Sequence, residues 1–109
     1  HGVETDATSS TINNIAGGAA TLYAVTVDND ANGSAVVYVR FWDAASAAIG
    51  DDAPYLSVFA NADDKNLAYR IPQGLAFSTG ITFACVTEHG GTAGSTSPSG
   101  DVIVRLVYS

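Results

Sequence analysis

Residues Leu22–Ser46 read LYAVTVDNDANGSAVVYVRFWDAAS, and the fold turns on this stretch. Two strand-like runs flank a polar turn. In the first, Leu22 to Val27, alternation predicts a strand with Tyr23, Val25 and Val27 on one face and Leu22, Ala24 and Thr26 on the other. The turn carries Asx residues able to cap their own backbone, then Asn32-Gly33, which tolerates positive φ. The second run, Val36 to Trp42, is apolar or aromatic on both faces. If Val37, Val39 and Phe41 turn to the core, Val36, Tyr38, Arg40 and Trp42 share the opposite face. A strand in a one-sided sheet has a wet face, so this stripe requires a cover.

Outward from this stretch the chain keeps the same rhythm. Strands are predicted near Ile12–Ile15, over Tyr55–Ala60, Leu67–Ile71 and Ile81–Thr87, and over Val102–Tyr108, with a brief pairing segment at Gly74–Phe77. Asp43–Pro54, DAASAAIGDDAP, reads as a long loop because Gly50, two acids and Pro54 close it. NADDKN at 61–66 is a turn, and EHGGTAGSTSPSG at 88–100 is a flexible loop. The opening HGVETDATSS, residues 1–10, reads as a mobile polar arm, leaving 11–109 as one domain. Roughly seven or eight short strands with regular turn signals and no convincing helix predict a single antiparallel β-sandwich, jelly-roll-like.

The composition bounds the function. Of 109 residues, 47% are hydrophobic and 14% charged, the balance of a folded domain rather than a disordered tail. Eleven acids against Arg40, Lys65, Arg70 and Arg105 give a formal charge of -7. Phosphate backbones and anionic membrane surfaces are repelled by such a chain, so neither nucleic acid nor membrane is an expected partner. The chain begins at His1 and contains no Met, so His1 reads as a processed or trimmed end.

Three constellations invite chemistry. Asp28, Asp30 and Asn32 with Gly33 match the opening of a calcium loop, D-x-D-x-N-G. Its closing bidentate Glu would fall at Val39, so an Asx-Gly hairpin on an acidic surface is the plainer reading. His1 and His89 could bind copper through an N-terminal amine and two imidazoles, as in some secreted β-sandwiches, against the plainer reading of two unrelated surface histidines. Cys85, the sole cysteine, lies in the apolar run ITFACV and reads as a small buried thiol rather than a nucleophile paired with His89. No G-x-S-x-G elbow, phosphate-binding loop or C-x-x-C occurs, so no enzyme, cofactor or metal is expected.

TLYAVTVDN at 21–29, VYVRFWDAAS at 37–46, IGDDAP at 49–54, IPQGLAFSTGITFAC at 71–85 and DVIVRLVY at 101–108 together resemble a group of small tailed-bacteriophage virion proteins. The resemblance spans about Thr21 to Tyr108 and departs at the acidic DNDANG turn and at the His-led arm. It implies a particle component on the phage head surface, a capsid decoration or cement protein, and it carries over no catalytic residue. The expected partners are the major capsid protein and the chain itself, with a homotrimer suggested by the three-fold positions of capsids in general. Val36, Tyr38, Arg40 and Trp42 are then the expected interface, because Tyr, Trp and Arg are enriched where subunits meet. The competing cover is a second sheet or the Ala-rich loop of the same chain. A tail- or fibre-associated receptor-binding module, touching its receptor through the 88–100 loop, and a secreted copper-binding sandwich stay open as alternatives.

Overall fold

The nesting of strand pairs defines the architecture. The computed structural model describes residues 2–7, 12–32, 36–61, 67–88, 96, 98–100 and 102–109, with 2–7 and 32 described by backbone alone. Its strands are β1 (Gly2–Ala7), β2 (Ala20–Asp28), β3 (Val37–Asp43), β4 (Leu56–Ala60), β5 (Leu67–Phe77), β6 (Ile81–Val86) and β7 (Val102–Tyr108). One turn of 3-10 helix, Asp30–Asn32, follows β2. Antiparallel pairs form between β1 and β7, between Ile12 and Phe83 of β6, between β2 and β5, and between β3 and β4. Nested pairs of this kind are a long antiparallel ribbon folded over on itself, the path of a jelly roll. The fold gives a four-stranded sheet A, β1-β7-β2-β5, facing a three-stranded sheet B, β4-β3-β6, whose β6 edge is continued by the bridge at Ile12. The all-β sandwich read from the alternation is thus the fold of the chain. Its radius of gyration, 12.6 Å, is close to the ~13 Å of one compact domain of this length.

The inter-sheet core is set by alternate residues. Leu22, Val25 and Val27 of β2 with Val104 and Leu106 of β7 meet Val37, Val39 and Phe41 of β3 with Phe83 and Cys85 of β6. All are buried, and the Phe41 and Phe83 rings lie 5.7 Å apart. Asn29, fully buried just after β2, donates from Nδ2 to the carbonyl oxygens of Asn61 at 3.1 Å and Ala60 at 3.4 Å, which ties sheet A to the end of β4. A buried amide with such partners is stabilising; the same amide without them is costly.

Three sequence expectations are corrected. The faces of β2 are not those of a regular strand, because a β-bulge breaks the register between Leu22 and Ala24. Leu22 and Tyr108 are partners, and so are Ala24 and Val107, so two steps on β2 match one on β7 and Tyr23 is the extra residue. Leu22 therefore joins Val25 and Val27 in the core, while Tyr23 turns outward and is exposed. The two segments predicted on either side of Pro72 are one strand, β5, that crosses the same irregularity. Pro72 is tolerated because β5 lies at a sheet edge, and Gly74 supplies the positive φ of 78° that the deviation requires. Residues Gly2–Ala7, expected to belong to a mobile arm, pair with the chain's own β7 from Gly2↔Val107 to Ala7↔Val102. The alternation of Val3 and Thr5 with Glu4 and Asp6 suits a strand, and a ladder in the same chain offsets the entropy of ordering it. Residues 1 and 8–10 of that expected arm lie outside the described residues.

Candidate interaction surfaces

The outer face of sheet B carries the stripe that the sequence singled out, and most of it is roofed by the chain itself. Register places Trp42 beside Thr82, Arg40 between Ser57 and Ala84, and Tyr38 between Phe59 and Val86. Trp42, Arg40, Thr82, Ala84 and Val86 are buried, yet they stand outside the inter-sheet core. They form a second buried layer.

Two loop bases make the roof. Over Trp42 lies the 44–55 segment. The indole Nε1–H donates to the Asp52 carbonyl at 2.9 Å. The Asp52 carboxylate accepts the Ala48 N–H at 2.9 Å, and the N–H groups of Asp51 and Asp52 donate to the Ala48 carbonyl at 3.1 and 2.9 Å. Gly50, at φ 86°, allows that turn to close. Thr82 fastens the loop's start, its hydroxyl donating to the Ala44 carbonyl at 2.8 Å and accepting from the Asn14 N–H at 3.0 Å. Over Arg40 lies the base of the 88–96 segment. The guanidinium donates from Nη2 to the Glu88 carbonyl at 3.2 Å. The Glu88 carboxylate in turn accepts the N–H of Thr96 at 2.8 Å and its hydroxyl, and Thr87 N–H donates to the Thr96 carbonyl at 3.0 Å.

The expected interface of Val36, Tyr38, Arg40 and Trp42 is therefore corrected in two of its four members. Arg40 is 1% exposed and Trp42 3%, both covered by their own chain, and neither presents a side chain to a partner. Val36 and Tyr38 are half-buried, and the Tyr38 ring lies 6.3 Å from that of the exposed Phe59. At this edge the Tyr69 hydroxyl of β5 donates to the Phe59 carbonyl and accepts the Phe59 N–H at 3.3 Å. A strand edge that would offer unpaired backbone groups is thereby bolted to the other sheet.

Of the metal candidates, Asp28 and Asp30 share a turn. Asp28 Oδ1 accepts the Asp30 N–H at 3.1 Å, the geometry of an Asx turn. The side chain of Asn32, and His1 and His89 altogether, lie outside the described residues. Among the described residues no group of three or more His, Cys, Asp or Glu is placed to hold a metal ion. Cys85 is fully buried, and desolvation pushes its thiol up to about 12, far from the thiolate that nucleophilic chemistry requires. Asp43, which the sequence offered only as an acid that could complete a calcium site across space, has a capping role that the sequence did not show. It caps the β5–β6 turn, accepting the N–H groups of Thr79 at 2.8 Å and Gly80 at 3.3 Å on Oδ1, and the N–H and hydroxyl of Ser78, both at 3.0 Å, on Oδ2. The Thr79 N–H above all, with those of Ser78 and Gly80, holds its carboxyl below the ordinary 3.8. The aspartate and the Ser-Thr-Gly turn were both visible in the sequence, but the separation of 35 positions from Asp43 to Ser78 hid the contact.

Among the described residues the outer face of sheet A is open, as are Ser57 and Phe59 on β4. Val107, Ala24 and Arg70 form one cross-strand row, and Arg105, Thr26 and Ala68 the next. Tyr23 is 38% exposed and Val107 49%. With Ala24, Arg70, Ile71 and Pro72 they border a shallow hollow of about 430 Å³. A second hollow, about 390 Å³, opens at the tip of the 44–55 loop between Trp42, Ala47, Pro54 and Tyr55.

No known family model and no curated protein matches this chain. The reading of its function therefore stands on its residues and its geometry.

Proposed function

We propose that this chain is a bacteriophage virion structural protein, a capsid decoration or cement protein that binds the head shell as a homo-oligomer and stabilises it by adhesion. The single observation that carries the reading is how the polar side chains are used. Asp43, Asp52, Thr82, Glu88 and Arg40 are engaged in holding loops and turns against the sandwich. Among the described residues the exposed large apolar side chains are Tyr23 and Val107 on a pleated sheet face, Tyr55 at a loop tip and Phe59 on β4, which suits contact rather than turnover. The jelly-roll path and the phage-like strand blocks support the same reading. The acidic surface keeps the chain soluble and turned away from nucleic acid.

The test is cosedimentation of the purified chain with undecorated head shells of the phage that encodes it, followed by imaging of labelled protein on whole particles. Saturable binding with label over the head is the expected result. Label at tail or fibre would shift the assignment to a receptor-binding module, and absence from the particle would overturn it.

A further inference from the structure

We propose that copies of this chain associate head to tail, the Asp51–Tyr55 tip of one copy seating on the Tyr23/Arg70/Val107 face of the next. The inference rests on the self-associating shell protein proposed above and gives that association its surfaces.

Charge selects the face. The chain has four Lys and Arg against eleven acids. Among the described residues the three arginines divide unequally: Arg40 is buried and donates to the Glu88 carbonyl, Arg105 stands opposite Glu4 in register, and Arg70 ends the row of Gly2, Val107 and Ala24, which carries no acid. Another acidic protein approaching this one is repelled least there. The bulge in β2 turns Tyr23 onto the same face, and Val107 and Pro72 add apolar surface around the hollow.

The tip offers the complement. Asp51 and Asp52 are exposed, and Tyr55 behind them is 51% exposed, its ring held edge-on to Phe77 at 5.2 Å and its hydroxyl donating to the Ala76 carbonyl at 3.1 Å. An aromatic fixed in this way loses little entropy on docking. Ala76 lies six positions along β5 from Arg70, on the order of 15–20 Å, so the tip does not reach its own Arg70 face.

Symmetry decides how the two surfaces meet. A face-to-face pair would bring together two faces that each carry Arg70, and a tip-to-tip pair two acidic tips. A head-to-tail contact pairs opposite charges, and its repetition closes into a ring when the rotation allows. The contact is small and expected to be weak alone, with repeated copies on a lattice adding avidity.

The experiment is sedimentation velocity of the full chain over about 1–200 µM, at low and at high salt. Three variants accompany it: Arg70→Glu, Asp51→Lys and the two combined. The parent is expected to form a closed oligomer that weakens as salt rises. Either single reversal is expected to reduce association at least about tenfold, and the combined reversal to restore it. Both positions are exposed, and circular dichroism checks that the fold survives. The salt series on the parent tests the electrostatic contact even if a variant misfolds. A parent that stays monomeric at every concentration overturns the inference, as does an oligomer indifferent to both reversals or to salt, or a combined variant no better than the singles. Shell binding is measured separately on the same proteins. A monomer that still decorates shells defeats the head-to-tail contact and the homo-oligomer while leaving the shell-binding role standing, whereas an oligomer that ignores shells does the reverse.

Discussion

Replacing Trp42 by Ala probes the roof over sheet B. The indole is 3% exposed, its Nε1–H is spent on the Asp52 carbonyl, and it is the only tryptophan in the chain. A large aromatic side chain buries on the order of 250 Å², worth up to about 6 kcal/mol by area at ~25 cal/mol/Å². Truncations of buried aromatics cost about 3–5 kcal/mol. Because the indole borders the open hollow beneath Pro54 and Tyr55, the loop can settle into part of the space, which sets the expected loss near 3 kcal/mol. At roughly 4–8 °C per kcal/mol for a small domain, the melting temperature falls by about 12–24 °C. Urea unfolding followed by far-ultraviolet circular dichroism measures it without needing the lost fluorophore. Trp42→Phe, which keeps a ring but gives up the hydrogen bond, falls between the two. In the parent, the single tryptophan should emit blue-shifted fluorescence in the dilute monomer. A loss below about 1 kcal/mol, together with water-like emission from that monomer, would refute the roof and return Trp42 to the surface.

The other expectations concern local devices. Gly74→Ala should cost about 2–3 kcal/mol in urea unfolding, because the position has φ 78° and a Cβ there would lie 2.3 Å from Thr21 Cγ2 and 2.9 Å from Tyr23 Cε1. Asp43→Asn should lower stability by about 0.5–1.5 kcal/mol at pH 7. The folded carboxyl titrates below its ordinary 3.8, so its contribution is fully present above that value and fades as pH falls through the lower folded one. Parent and variant should accordingly converge in strong acid, and a gap unchanged from pH 7 to pH 2 would count against the cap. Cys85 should resist a thiol-specific reagent in the native protein at pH 8 and react fully in denaturant, since burial places its thiol at about 12. Rapid native reaction would show that the core opens readily.

What the sequence disclosed, and what it hid, follows from the range of each interaction. Period-two alternation is local, so β3, β6 and β7 could be read almost to their ends, and with them Val37, Val39 and Phe41 as core. A bulge is not local in that sense. Tyr23 leaves the core because of how β2 meets β7 and β5, strands that begin 40 or more residues further on, and alternation within Leu22–Val27 gives no sign of it. The acidic DNDANG turn drew attention to its aspartates, whereas Asn29 between them is a residue that ties the two sheets, distinguished by a contact 32 residues away with Asn61. Polar tethers such as Asp43, Asp52 and Glu88 look like ordinary surface acids until the turns they cap are in place.

The opening stripe shows why such hidden tethers matter for function. Its composition, two aromatics and an arginine, is that of a subunit interface and equally that of a layer buried beneath loops, because both environments favour large side chains that combine an apolar body with a few directional donors. The chain distinguishes them through residues elsewhere: Asp52 accepts from the indole, and Glu88 accepts from the guanidinium. Among the described residues, sheet B consequently buries Trp42, Arg40, Thr82, Ala84 and Val86 on its outer face, whereas sheet A exposes Tyr23, Arg70 and Val107 on its own. Loss of particle binding after substitution at Trp42 or Arg40 would therefore report a damaged fold. Substitution at Arg70, exposed and engaged in neither the core nor the roof, alters the surface while sparing both, so binding changes there can be attributed to contact.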